Sequence, residues 1–231
     1  MVLKEKDLIK DSTLILPKKY KKFPFVLNTL DKFGIAEKDI LFVRKKSNVK
    51  VKDLFFVQCN GQNNPEIVPK IREIVIKNVK HTIDFGEKIY ISREKCPGRF
   101  LQNEKEFFSL IEKYGFKKVI MEDFCYEDQV SISATAKYMI GPHGAGLSNI
   151  LFMKDKGYLM ELSSRSKPIK PIADYFKLAY FCGLNYLYHE CKVAYVPERF
   201  AHTELDQTFD QGVLDVDLEK LEKNLQLMLK N

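Results

Sequence analysis

Apolar positions in the first eighty residues fall into short runs separated by helically spaced stretches. Residues 13–16 form a β-prone run that stops at Pro17. From Pro24 onward Phe25, Leu27, Leu30 and Phe33 recur at helical spacing as far as Gly34. Residues 40–43 and 54–57 read as two more strands, and Pro65 opens an amphipathic stretch through Ile67, Val68, Ile71, Ile74 and Val75.

A more regular series follows. Residues 88–92 form a bounded apolar run, and Asn103 stands as a helix cap with Glu106 three residues later, ahead of Phe107, Leu110, Ile111 and Tyr114, with Gly115 as the stop. Residues 118–121 predict a strand, 128–136 a helix and 138–140 a short buried strand. A glycine-rich loop, residues 141–149, then opens a helix through Leu151 and Phe152, and residues 158–162 return as a strand. From Asp217 on, Leu218, Leu221, Leu225 and Leu229 mark an amphipathic helix that packs on the rest of the chain.

Alternation of this kind predicts an α/β fold, a doubly wound, Rossmann-like parallel sheet with helices on both faces. The expected division is a partial amino-terminal α/β domain over residues 1–83 and a ligand-binding domain over 84–231. Ligands of such sheets bind beyond the carboxyl ends of the strands, where the loop after Ile140 sits.

Composition narrows this picture. At 231 residues and 45% hydrophobic content the chain can bury a substantial core. No apolar stretch reaches the roughly 18 residues of a membrane span, and the first residues do not resemble a signal peptide, so a cytoplasmic setting is expected. Cys59, Cys96, Cys125, Cys182 and Cys191 are scattered, without a C-x-x-C arrangement, and read as reduced thiols. The net charge of +7 suits a phosphate-bearing ligand or peripheral contact with the cytoplasmic face of a membrane. The run Lys18, Lys19, Lys21 and Lys22 reads as a solvated turn, and nucleic acid is not an expected partner.

The loop carries the chemistry. Gly141, Gly144 and Gly146 allow backbone conformations and close approaches that other residues resist, and the following helix offers amides and a partial positive charge to an anion. Ala145 and Leu147 lie in the same turn, Ser148 and Asn149 add hydroxyl and amide donors, and His143 can donate to a phosphate or sugar oxygen. A purely structural turn remains the alternative. There is no G-x-G-x-x-G dinucleotide fingerprint, no P-loop and no G-x-S-x-G elbow.

Taken in order, Ile89-Tyr90-Ile91-Ser92-Arg93, Arg99, Asn103-Glu104, Tyr114-Gly115-Phe116, the 141–149 loop and Met160-Glu161-Leu162 resemble glycosyltransferase family 61. The resemblance covers residues 88–164 well and residues 13–80 as the later part of the family's amino-terminal domain. It implies an inverting transferase of the two-domain GT-B type, acting in glycan or polysaccharide synthesis without cofactor or metal. A nucleotide sugar, with a UDP-sugar expected, would be the donor, and a glycan or other hydroxyl group the acceptor.

By the same resemblance Arg93 and Arg99 match basic positions near the diphosphate, His143 the loop histidine, and Glu161 an acidic residue that could hold a ribose or sugar hydroxyl. Without it, the two arginines read equally as surface residues paired with Glu94 or Glu104. For the general base His81, Asp84 and His143 are all candidates. Family members carry a His-Trp segment upstream, whereas this chain contains no tryptophan. A homo-oligomer or a partner completing the amino-terminal domain is therefore expected for turnover, and a non-catalytic nucleotide-sugar-binding module is the alternative function.

Overall fold

A computed structural model describes residues 12–56, 65–80, 82–164, 173–200 and 212–230. The chain divides into two units, Met1–Val79 and Lys80–Asn231.

In the first unit, strand β1 (Leu14–Pro17), helix α1 (Pro24–Lys32) and strand β2 (Ile40–Val43) form a strand-helix-strand unit whose strands pair in parallel, Leu14 opposite Ile40. Helix α2 (Ile67–Lys77) buries Val68 and Val75. The lysine run forms a 3-10 turn, with Lys21 paired to Glu37 at 2.8 Å. The expected strand over 54–57 does not form where it is described: Leu54, Phe55 and Phe56 are irregular and 69%, 52% and 83% exposed. A strand needs a neighbour for its N-H and C=O groups, and among the described residues only β1 and β2 pair in this unit. Val57 lies outside the described residues.

The second unit is built on five parallel strands: β3 (Lys88–Ile91), β4 (Lys117–Val119), β5 (Tyr138–Pro142), β6 (Tyr158–Ser163) and β7 (Asn185–Glu190). Their spatial order is β4-β3-β5-β6-β7. The chain therefore steps outward in one direction from β3 to β4 and in the other from β5 to β7. This leaves a topological switch point between β3 and β5.

Helices cover both faces, as the alternation predicted. On one face Phe107 and Ile111 of α3 (Glu104–Glu112) and Leu221, Leu225 and Met228 of the last helix close one core with Tyr90, Ile140, Met160 and Leu162. On the other, α4 (Tyr126–Thr135) and α5 (Ala173–Phe181) pack beside a 3-10 helix, Ala145–Phe152, above the fully buried Met139 and Leu159. Gly34 and Gly115 end α1 and α3 with φ of 76° and 86°, where a Cβ would be strained. No helix among the described residues is long and apolar enough to cross a membrane.

An antiparallel pair, β8 (Lys192–Tyr195) and β9 (Val213–Asp215), stands outside the main sheet, and the final helix α6 (Leu218–Leu229) follows it. Asn103 holds the cap position of α3 but makes no side-chain cap bond. Its amide instead donates to Val216 O at 2.8 Å and accepts from Val216 N at 3.1 Å, tying α3 to the end of β9.

Candidate functional site

Residues from the carboxyl ends of β3, β5 and β6 converge at the switch point. β5 is longer than its apolar run suggested, because Gly141 and Pro142 stay paired with Glu161 and Leu162 of β6, and His143 N still donates to Leu162 O at 2.9 Å. The loop proper thus begins at His143. Side chains alternate along strands, so His143 falls on the same face as position 141, whose neighbour across the ladder is Glu161. That register brings His143 Nδ1 against Glu161 Oε1.

Glu161 is completely buried, and its other oxygen, Oε2, accepts from the Tyr186 hydroxyl at 2.6 Å. A carboxylate so enclosed acts on its neighbours in the fold, whereas the His143 side chain keeps 29% exposure. The Glu161 contact to Nδ1 leaves His143 Nε2 as the ring atom presented outward when Nδ1 carries the proton.

The three loop glycines fall into two cases. A Cβ on Gly141 would lie 2.9 Å from Leu147 Cδ2 and 3.3 Å from Ile91 O, and one on Gly146 would meet Ile91 Cγ2 at 3.1 Å. Neither has a positive φ, so both are set by close packing of loop on strand and not by the unusual dihedrals first expected. At Gly144 the space is taken by the Arg93 guanidinium, with Nη1 2.0 Å from where a Cβ would be.

Following the loop is a 3-10 helix and not an α-helix. Asn149 turns its amide back to Gly146 O, three residues earlier, at 3.1 Å, and toward Gln129 Oε1 at 3.3 Å. Three-residue spacing is that of a 3-10 turn, and the amide is engaged in tying the turn to α4. Leu147 is buried beneath the loop, while Ala145 and Ser148 are exposed.

Arg93 leaves β3 two residues beyond its last paired position, with Nε donating to Gly98 O at 3.3 Å. Glu94 and Glu104, the carboxylates expected for a surface pairing, both take Lys118, Glu104 at 3.2 Å. Arg99 adopts φ 59°, a left-handed conformation that non-glycine residues seldom hold. Its flank is fixed: Leu214 N donates to Phe100 O at 2.9 Å, and Gln102 N donates to Leu214 O at 2.7 Å. Strained backbone held by its surroundings is a frequent mark of a functional position.

Tyr175 of α5 joins these groups. Its hydroxyl donates to Gly144 O at 2.6 Å, and its ring meets His143 edge-on at 5.1 Å. Burial pushes the hydroxyl above its ordinary range; a hydrogen bond from Ser148 opposes the rise, the Glu161 charge adds to it, and Arg99 and Arg93 oppose it. Both arginines therefore lie within electrostatic reach of the loop. Tyr175 and Tyr186 were missed from sequence, although the alternating Asn-Tyr-Leu-Tyr-His-Glu run over 185–190 is a strand signal that marks Tyr186 and Tyr188 as sharing a face.

Residues 9–160 match the Glycosyltransferase 61 family, a span that takes in Arg93, Arg99 and the whole loop. The chain belongs to that family. An EGF domain-specific O-linked N-acetylglucosamine transferase of Drosophila melanogaster is 29% identical over 116 residues, 49% of this chain and 21% of that protein. The chain therefore matches about a fifth of this relative's length. Of the other two candidate bases, Asp84 stands apart from the loop. Asp84 precedes β3, at the amino end of the sheet, where its carboxylate accepts from Gly86 N at 2.6 Å; that bond and one to Thr135 hold it below its ordinary range. His81 lies outside the described residues.

Cys96, Cys125, Cys182 and Cys191 are outside any disulfide, and Cys59 lies outside the described residues. One Asp-x-Asp sequence, Asp215-Val216-Asp217, closes β9; Asp217 there caps α6 by accepting from Lys220 N at 3.1 Å.

Proposed function

We propose that the switch-point site binds a nucleoside-diphosphate sugar and transfers the sugar, with inversion, to a hydroxyl group of an acceptor. The carrying observation is the placing of the Arg93 guanidinium against Gly144 on the loop whose His143 pairs with Glu161 of β6. Membership of family 61 supports glycosyl transfer as the chemistry, and the switch point is where parallel α/β sheets take their ligands.

In this reading Arg93, Arg99, the amides opening the 3-10 helix and the Ser148 hydroxyl face the diphosphate. Guanidinium groups pair with phosphate oxygens in bidentate fashion, and donors fixed in advance gain strength as negative charge grows on the leaving group. The acceptor oxygen attacks the anomeric carbon from the side opposite the diphosphate. Its proton passes to His143 Nε2, and the electron pair of the breaking bond stays on the departing phosphate oxygen. Glu161 orients His143 and balances the imidazolium that forms. The chemistry assigned to these residues draws on no cofactor, and UDP-sugars are the first donors to try, the named relative being an N-acetylglucosamine transferase.

Calorimetry with UDP-, GDP-, CMP- and dTDP-sugars, paired with a transfer or hydrolysis assay, tests this. Saturable binding of a donor, weakened by Arg93→Ala and Arg99→Ala, is the expected result. Absence of binding by every donor overturns the reading. Binding without any turnover reduces it to a nucleotide-sugar-binding module.

A further inference from the structure

We propose that Tyr186 is a positioning residue for His143, acting through Glu161 to fix which imidazole nitrogen carries the proton. A buried carboxylate needs donors for its oxygens, and Glu161 is 0% exposed. Its two oxygens are divided, Oε1 to His143 Nδ1 and Oε2 to the Tyr186 phenol at 2.6 Å.

The terminal torsion of a glutamate is soft, so a single partner would leave the carboxylate free to turn. A second donor from a different strand removes that freedom. Register gives Tyr186 the reach this requires, since it pairs with Leu159, two positions before Glu161 on β6, while Tyr188 stands directly opposite Glu161. Reaching Glu161 therefore means crossing a diagonal of the sheet, which a phenol spans and a short hydroxyl side chain does not. The ring is itself backed edge-on by Phe176 of α5 at 5.5 Å.

With Oε2 claimed by the phenol, Oε1 is the oxygen left for Nδ1-H, and Nε2 is presented as an acceptor. Loss of the phenol lets the carboxylate swing, and the ring then samples the tautomer with the proton on Nε2, the one favoured in water. That tautomer cannot accept a proton from a hydroxyl at Nε2. The activity consequence rests on the transferase reading above, whereas the tautomer consequence does not.

The test is imidazole 1H–15N correlation spectroscopy of the 15N-labelled full chain at about pH 8, where ordinary imidazoles are neutral. The chain has four histidines, and His143→Ala assigns the resonances of His143. Wild type is expected to show Nδ1-H, and Tyr186→Phe a folded protein with a substantial Nε2-H population and an unfolding temperature lowered by the unmatched Glu161 Oε2. In Glu161→Gln, Tyr186 should claim the amide oxygen and turn the NH2 group onto Nδ1, giving almost pure Nε2-H. This second variant decides the matter if Tyr186→Phe fails to fold.

An unchanged Nδ1-H population in Tyr186→Phe, or in Glu161→Gln, overturns the proposal. Where a donor is turned over, Tyr186→Phe should lower kcat roughly 10- to 100-fold at constant donor KM, the range for outer partners of metal-binding histidines. It should cost nothing further in the Glu161→Gln background. If no donor is turned over, the transferase reading fails while the tautomer spectra still decide the role of Tyr186.

Discussion

Arg93 occupies the space that a side chain at position 144 would need: a Cβ there would lie 2.0 Å from Arg93 Nη1 and 2.8 Å from Cζ. The obstructing atoms are the far end of a flexible chain, so the guanidinium can move aside for Gly144→Ala, but Gly144 holds φ 159° and ψ 172°, a backbone region kept almost only by glycine. Donor affinity should fall about tenfold, equivalent to ~1.4 kcal/mol, and the strain should lower stability by about 1–3 kcal/mol. Calorimetry on Gly144→Ala, Arg93→Ala and the double variant checks this. Additive losses would mean that Gly144 acts independently of Arg93.

Arg99 holds φ 59° without being glycine. A left-handed conformation costs an ordinary residue about 1–2 kcal/mol. Arg99→Gly should therefore raise stability by roughly 1 kcal/mol, offset in part by the greater freedom of glycine in the unfolded chain. Arg99→Ala keeps the strain and should leave stability nearly unchanged. Both should weaken donor binding alike, and denaturant unfolding beside calorimetry separates the two effects. A large stability loss in either variant would mark Arg99 as structural.

These two residues also show what was legible in the sequence. Strand and helix periodicity placed four of the five strands of the sheet, missing β7 and the helix before it, and the ordered motifs singled out Arg93, Arg99 and the loop, because both are local signals. The Glu161 environment was not legible. Whether a strand-end glutamate faces a ligand or a loop histidine depends on register with β5 and β7, which is fixed only in three dimensions. Tyr175 and Tyr186 look like ordinary core aromatics in one dimension. Conversely, Leu54, Phe55 and Phe56 read as a strand because an apolar run records hydrophobicity and β-propensity, not the presence of a pairing partner.

His189 of β7 is completely buried, with Nδ1 2.9 Å from Asn224 Nδ2 on α6 and Nε2 without a hydrogen-bond partner among the described residues. Burial holds it below its ordinary value of 6.5, the Lys220 charge adding to this and the Asp217 charge opposing it. Because the unfolded chain takes up this proton first, stability is fully present above about pH 6.5 and is lost as pH falls toward the depressed folded value. The slope from one such group reaches at most about 1.4 kcal/mol per pH unit. Denaturant unfolding between pH 8 and 5 should show this decline in wild type and a shallower one in His189→Asn. Parallel profiles would assign the acid sensitivity elsewhere.

Asn103 separates two uses of one residue type. By sequence it caps α3, and Asn103→Ser should then be nearly neutral, since serine caps comparably. By structure its amide bridges Val216 N and O, at 3.1 and 2.8 Å, and no cap bond is made. Serine cannot span that pair. Leaving a buried donor and acceptor unmatched costs about 1–3 kcal/mol, so Asn103→Ser and Asn103→Ala should be destabilised to a similar extent. In a domain of this size that corresponds to several degrees of unfolding temperature, roughly 2–4 °C per kcal/mol. The loosened β9 also borders the Phe100–Gln102 backbone that holds Arg99 in place, so donor affinity should fall in both variants. Rescue of both quantities by serine would restore capping as the role of this residue.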